Sequence, residues 1–391
     1  MINNLVTETG CVSLNHVGEE LCGDHFEVVT VDENTKVVVL ADGLGSGVKA
    51  NILAILVSKI LSTMISASMP MNECIATIAK TLPICQERNI AYSTFTIAKI
   101  TNNKKAEIYN FDNPLPILLR RGKNLEIPFT DQIIENKKIQ MAEIDLINED
   151  ALLFMSDGVI HAGIGQVLNF GWERKEVIDY ISKLYDPSYC AKTLATFITE
   201  KCNGLYDGRP GDDTSVVAIK IRERLQVNLL IGPAGNIEDD EKMLSLFFGK
   251  EGKHIVCGGT TSSIAAKYLG KELEMALDYE DLSVPPTASI EGVDIVSEGV
   301  VTINKVLEYV KDFDHENKFY FDWSFKKDGA SKIAKMLLEE ATDINFFLGC
   351  AVNPAHQHES MNIGFSLKLK LIEELEVNLK KIGKKVKVSY F

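Results

Sequence analysis

The rhythm of apolar and polar positions changes near residue 224. Before it, short runs rich in β-branched residues dominate. EVVTV (27–31) and KVVVLA (36–41) flank the polar turn Asp32-Glu33-Asn34-Thr35, and the pattern predicts a hairpin. Residues 48–66 carry apolar positions at helical spacing, and a second helix is predicted over about 71–82. STFTIAKI (93–100), AEIYNFD (106–112) and PILLRRG (116–122) are separated by turn residues, as in an antiparallel meander. ALLFMSDG (151–158) reads as a buried strand ending in Asp-Gly. Helices over about 173–184 and 188–202 follow, and TSVVAIKI (214–221) closes this part as a strand.

Beyond it the apolar runs VNLLIG (227–232), HIVCGG (254–259), VDIVSEG (293–299) and INFFLGC (344–350) alternate with helical segments. Those segments lie near 238–248, 261–269, 299–312 and 364–380, and KVKVSYF predicts a last strand. Strand–helix alternation marks an α/β domain with a mainly parallel sheet and crossovers. A chain of 391 residues is long for one core. The charged stretch RERLQ (222–226) is the expected boundary, dividing 1–222 from 227–391.

Composition narrows the classes. No apolar run approaches the ~20 residues of a membrane span. The start, MINNLVTETGCVS, lacks the basic and apolar regions of a secretory signal, so a cytoplasmic protein with no membrane partner is expected. Eight cysteines without CxxC spacing argue against a zinc site or a disulfide framework and fit reduced, buried thiols. A net charge of −14 repels nucleic-acid phosphates. The basic tail (Lys380, Lys381, Lys384, Lys385, Lys387) reads as a solvated helix end followed by an edge strand. Met64, Met69 and Met71 suit either core filling or a partner surface.

Four acidic spots recur where strands meet turns: Gly23-Asp24-His25, Ala41-Asp42-Gly43, Ser156-Asp157-Gly158 and Gly211-Asp212-Asp213-Thr214. Aspartate beside glycine is common in turns and helix caps. All four projecting from one sheet end would instead suit hard divalent cations, which prefer oxygen ligands. The glycines after Asp42 and Asp157 would free a backbone carbonyl and let the chain turn tightly.

The order GDH…ADGLGSGVKAN…YSTFTIAKI…LLFMSDGV…GDDTSVVAI resembles the metal-dependent serine/threonine phosphatases of the type 2C family. It is most similar to their bacterial SpoIIE branch, over about residues 1–221. The resemblance implies an αββα sandwich, two antiparallel sheets flanked by helices, and two Mn²⁺ or Mg²⁺ ions. It implies that Asp42 bridges both ions, that the Gly43 carbonyl binds one, and that Asp157 and Asp212 hold the second. Asp24 would contact a metal-bound water, and Asp213 would hold the turn. Hydrolysis by an activated water, without a covalent intermediate, is the implied mechanism. His16 and His25 are candidates for protonating the leaving oxygen or are structural. The segment SLNHVGEELCGDH lacks the upstream arginine that eukaryotic members use for phosphate, so phosphate binding would rest on the metals. The helix after Gly47 matches the family's switch helix, whose position would control the metal site. The implied substrate is a phosphoprotein of the anti-anti-sigma type.

No family resemblance covers the second domain. In parallel sheets, ligands bind beyond the carboxyl ends of strands. There, Gly258, Gly259, Thr260 and Thr261 open a helix as an anion site would, or as ordinary capping does. His356 and His358 lie near another such loop. The domain reads as a ligand-binding regulator, or as a docking or homodimerising module. A phosphoprotein phosphatase is the leading expectation; a non-catalytic scaffold and a phosphatase of a small metabolite are its rivals.

Overall fold

In the computed structural model, which describes residues 4–391 apart from 82–83, 86–89, 92, 276–286, 316 and 352–360, the chain divides into two units, Met1–Glu223 and Arg224–Phe391. The strands of the first unit are β1 (Leu5–Leu14), β2 (Asp24–Asp32), β3 (Thr35–Gly43), β4 (Ile84–Cys85), β5 (Ile90–Ala91), β6 (Ser93–Thr101) and β7 (Lys105–Phe111). They continue as β8 (Ile117–Arg120), β9 (Lys123–Leu125), β10 (Thr130–Ile134), β11 (Lys137–Asp145), β12 (Asp150–Met155) and β13 (Thr214–Glu223). Its helices are α1 (Gly47–Ser66), α2 (Met71–Thr81), α3 (Asp157–His161), α4 (Arg174–Leu184) and α5 (Ala191–Leu205). Two antiparallel sheets result, ordered β1-β13-β12-β8-β9 and β10-β11-β7-β6-β3-β2.

The uninterrupted apolar run of β3 follows from burial on both faces. Val37, Val39 and Ala41 join the core containing the α1 residues Ala54, Val57 and Leu61 and the α2 residues Cys74, Ile75 and Ile78. Val38 and Leu40 face the other way, into a core shared with Leu152, Phe154, Val217 and Ile219 of the five-stranded sheet. On the outer side of that sheet, α5 packs on β1 and β13. The layers are helix, sheet, sheet, helix. Met71 is buried in the core beneath α1 and α2, and Met64 and Met69 pack against it, so the methionines fill core.

Three expectations are corrected. PILLRRG does not extend the meander: β6 and β7 pair, but β8 crosses to the other sheet beside β12. Asp112 has left-handed backbone (φ 56°), and Pro114 and Pro116 cannot donate to a ladder, so the chain leaves the sheet there. Helix α1, at 20 residues, is long and apolar enough to cross a membrane. Its buried face, including Ala50, Ala54, Val57 and Leu61, packs on β2 and β3, while Val48, Ile52 and Leu56 stay exposed. The third correction concerns Lys384 and is given with the second unit.

A buried amide joins the two sheets. Asn103, in the β6–β7 turn, accepts from the Thr7 amide (3.1 Å) and hydroxyl (2.8 Å) and donates to the Leu5 carbonyl and the Asn34 side chain (both 3.0 Å). Its left-handed φ of 53° suits asparagine. Asn103→Ala strands these buried partners and strains the turn. We expect a loss of about 2–3 kcal/mol in chemical denaturation, with metal affinity unchanged, because Asn34 and Asp42 lie toward opposite ends of the β2–β3 hairpin.

The second unit contains β14 (Gln226–Ile231), a 3₁₀ turn (Ile237–Asp239), α6 (Asp240–Phe248), β15 (Lys253–Cys257), α7 (Gly259–Leu269), β16 (Leu273–Met275), β17 (Ala288–Ile290) and β18 (Ile295–Ser297). Then come α8 (Val300–Asp314), α9 (Tyr320–Trp323), α10 (Gly329–Lys335) running into a π-helical turn (Met336–Glu340), β19 (Asp343–Leu348), α11 (Met361–Lys381) and β20 (Lys385–Tyr390). The sheet order is β16-β17-β18-β15-β14-β19-β20. Strands β18, β15, β14, β19 and β20 are parallel, and the antiparallel pair β16–β17 extends one edge. The expected last strand is the opposite edge. The tail is not wholly solvated, however. Lys384 is buried, and its ammonium donates to the Leu338 and Ala341 carbonyls (both 2.7 Å), the second of which follows the π-helical turn. Cys11, Cys22, Cys74, Cys190, Cys202, Cys257 and Cys350 are free thiols.

Candidate metal centre

Strand pairing brings the aspartates together. Asp24 opens β2 and Asp42 lies near the end of β3, and the two are direct cross-strand partners. In the other sheet Met155, at the end of β12, pairs with Val216 near the start of β13. Asp157 therefore leaves one strand beside the point where Asp212 and Asp213 enter its neighbour. Each sheet contributes an acidic pair. The negative charges of Asp24, Asp157 and Asp212 all act on Asp42.

The glycines between these residues make the approach possible, for a reason the sequence did not show. Neither Gly43 nor Gly158 has left-handed backbone. A Cβ on Gly43 would sit 2.1 Å from the Ala50 carbonyl oxygen, in the first turn of α1. One on Gly158 would sit 2.2 Å from the Asp213 carbonyl oxygen. Gly23 is similar, 2.6 Å from an Asp213 carboxylate oxygen. Close backbone packing, rather than a tight turn, demands glycine here.

The electrostatics favour a cation. Asp24 is 4% exposed, and neither of its carboxylate oxygens has a hydrogen bond, although Ser156 and Ser215 lie beside it. Ser156 instead accepts from the Ser215 amide (2.8 Å), and the Ser215 hydroxyl shares a hydrogen bond with Ser13 (2.7 Å). Asp213 accepts from the His16 amide through one oxygen (2.9 Å), while its other oxygen is buried and unpartnered. Burial first, then the neighbouring carboxylates, push Asp24 and Asp42 far above the usual range. The same causes raise Asp212 to about 6. Converging oxygens, some orphaned and costly to leave unpaired, are a donor set that divalent cations fit.

A pH dependence follows. These carboxyls have raised folded-state values, so the unfolded chain ionises first and the folded chain keeps its protons. Stability is full below about pH 4 for these groups and falls as pH rises toward the folded values. Without divalent metal, the melting temperature should fall between about pH 5 and 8 by this contribution. Saturating Mn²⁺ should reverse the trend, as read by thermal shift at each pH.

The histidines are distributed differently from expectation. His25 lies 3.6 Å from Glu27, and burial holds its pKa below the ordinary value. His16 contributes its backbone amide to Asp213. The histidine that joins the acidic group is His161, at the end of α3. Asp157, His161 and Asp212 offer ligand atoms within 4.8 Å of one another, and Asp24 and Asp42 stand outside that trio. The signal was present in DGVIH, an Asp and a His four residues apart, but it needs the helix to be read.

In the second unit, Gly258 has φ 108° and precedes α7. Thr261 accepts from the Gly232 amide (3.0 Å), and Ser262 and Ser263 donate to the Gly258 and Gly259 carbonyls. Those three hydroxyls are engaged within the fold, and Thr260 is exposed. His356 and His358 lie outside the described residues.

Residues 32–222 match the family model described as Stage II sporulation protein E (SpoIIE). A search of curated proteins finds no sequence match. Among solved structures, the phosphatase domain with a fragment of the regulatory domain of SpoIIE from Bacillus subtilis is 19% identical, with a TM-score of 0.49. That match covers 56% of this chain and 64% of that one. A second crystal form of the B. subtilis SpoIIE phosphatase domain is 17% identical over 56% of this chain and 94% of that one, with a TM-score of 0.44. The RsbU and RsbW domains of Rv1364c from Mycobacterium tuberculosis are 14% identical over 83% and 78%, with a TM-score of 0.46. Residues 32–222, just under half of the chain, therefore carry a SpoIIE-like domain.

Proposed function

We propose that this chain hydrolyses phosphoserine or phosphothreonine on a partner protein, using two divalent cations held by Asp42, Asp157, Asp212 and the Gly43 carbonyl. The convergence of an acidic pair from each sheet, with both oxygens of Asp24 orphaned beside them, carries this reading. Such ions, when bound, supply an acidified water and neutralise phosphoryl charge. The residues do the rest. Asp42 joins the two acidic pairs, Asp24 accepts a proton or orients water at its unpaired oxygens, and Asp213 pins the β1–β2 connection through the His16 amide. With no basic side chain assigned to the phosphate, substrate charge must be met at the cations. The likeness to SpoIIE supports a phosphoprotein substrate, here of the anti-anti-sigma type, and the second unit is assigned a regulatory role.

The test is hydrolysis of a phosphoserine peptide and of p-nitrophenyl phosphate during a Mn²⁺ titration. The reading expects turnover of the peptide that follows metal occupancy and stops with chelator. Turnover that persists in chelator would overturn it, as would a failure to bind metal at all.

A further inference from the structure

We propose that His161 is a nitrogen ligand of the cation held by Asp157 and Asp212, and that this position selects a first-row transition dication over magnesium. The proposal rests on the metal-centre reading above and deepens it.

Helix α3 is a little over one turn long, so Asp157 and His161, four residues apart, lie on the same face. The His161 Nδ1 is 3.8 Å from a carboxylate oxygen of Asp157. That is too far for a hydrogen bond, and the two side chains must close to about 3 Å to share one octahedral ion. An isolated pair of this kind would carry nothing, because both side chains are nearly half exposed (46% and 44%) and surface ion pairs contribute little. Two further observations change this. Asp212 arrives from the start of β13, on a different element, and completes a trio with all ligand atoms within 4.8 Å. Beside the trio, though outside it, Asp24 is buried with both oxygens unpartnered, a second observation that favours a cation at this centre.

The chemistry of the trio differs from an all-oxygen set. Magnesium is hard, prefers oxygen and gives up its waters reluctantly. An imidazole nitrogen gains more from transition dications than from magnesium. One histidine among carboxylates should therefore shift preference without abolishing oxygen coordination. Glycine at 158 lets the β12–α3 junction pack against the Asp213 backbone, which holds α3 beside Asp212.

Mn²⁺ is the probe, because it reports nitrogen ligands spectroscopically. In the full-length chain loaded with Mn²⁺, the electron spin echo should show modulation from a directly bound nitrogen. His161→Ala should lose that modulation while still binding Mn²⁺ through the aspartates. His161→Asp should bind Mn²⁺ without the modulation, and Mg²⁺ should displace its Mn²⁺ at a concentration at least about tenfold lower than in the wild type. If Mn²⁺ binds the wild type but the nitrogen signal is absent, or survives in His161→Ala, the histidine is not a ligand and the proposal falls while the metal-centre reading stands. If the wild type binds no Mn²⁺, both fall together.

Discussion

Asp42→Ala is expected to lower Mn²⁺-dependent phosphoester turnover by about 10³-fold or more, and at the same time to raise the melting temperature of the metal-free protein. The two effects have one cause. Asp42 is held in a buried position facing the charges of Asp24, Asp157 and Asp212, and burial plus these neighbours keep its carboxyl far above its ordinary pKa. Without a cation, that arrangement is strained electrostatically; with one, the same charges become ligands. Removing the carboxylate relieves the repulsion and destroys the site, the trade expected where function is built from unfavourable contacts. Asp42→Asn separates charge from volume: it should reproduce the loss of turnover with little change in packing. The measurements are kcat at saturating Mn²⁺ and thermal shift in chelator. An Asp42→Ala protein that keeps wild-type turnover would remove Asp42 from the centre, and one that melts lower in chelator would contradict the repulsion.

The centre was legible in the sequence because its residues sit at strand ends, where composition changes abruptly. VVVLADG announces both a strand buried on two faces and the point where it stops. The alternating strands and helices beyond residue 224 likewise reveal a mainly parallel sheet. What stayed hidden depended on contacts between distant segments. PILLRRG has the pattern of a strand, but no local feature says which sheet it joins. Strands β16 and β17 have three residues each, too few for a period to appear. Lys384 reads as a solvated charge until the carbonyls beside the π-helical turn are seen to receive it. His161 is hidden because DGVIH reads as the end of a strand, and a fourth-residue partner acquires meaning only on a helix. The Asp-Gly pairs are plain in the sequence, but the packing reason for their glycines is not: at Gly43 and Gly158 the backbone of a distant segment, rather than a tight turn, excludes a side chain.

Gly43→Ala turns that last reason into a prediction, and it probes how α1 controls the site. An alanine Cβ at position 43 would lie 2.1 Å from the carbonyl oxygen, 2.7 Å from the carbonyl carbon and 2.9 Å from the Cα of Ala50. None of these is a flexible side-chain end, so the first turn of α1 must move or the end of β3 must. Forced overpacking of this kind costs about 3 kcal/mol. Displacement of β3 would also misplace Asp42 and the Gly43 carbonyl. We therefore expect Gly43→Ala to lose at least about tenfold in Mn²⁺ affinity as well as stability, although the new methyl adds no charge. Ala50→Gly should not rescue it, because the clash is with main-chain atoms that glycine retains. Isothermal titration with Mn²⁺ and chemical denaturation of the single and double variants decide the matter. Native metal affinity in a destabilised Gly43→Ala protein would uncouple α1 from the centre and dismiss the helix as its switch. Loss of both, unrescued by Ala50→Gly, would make the seating of α1 on Gly43 the contact through which any regulator of this helix must act.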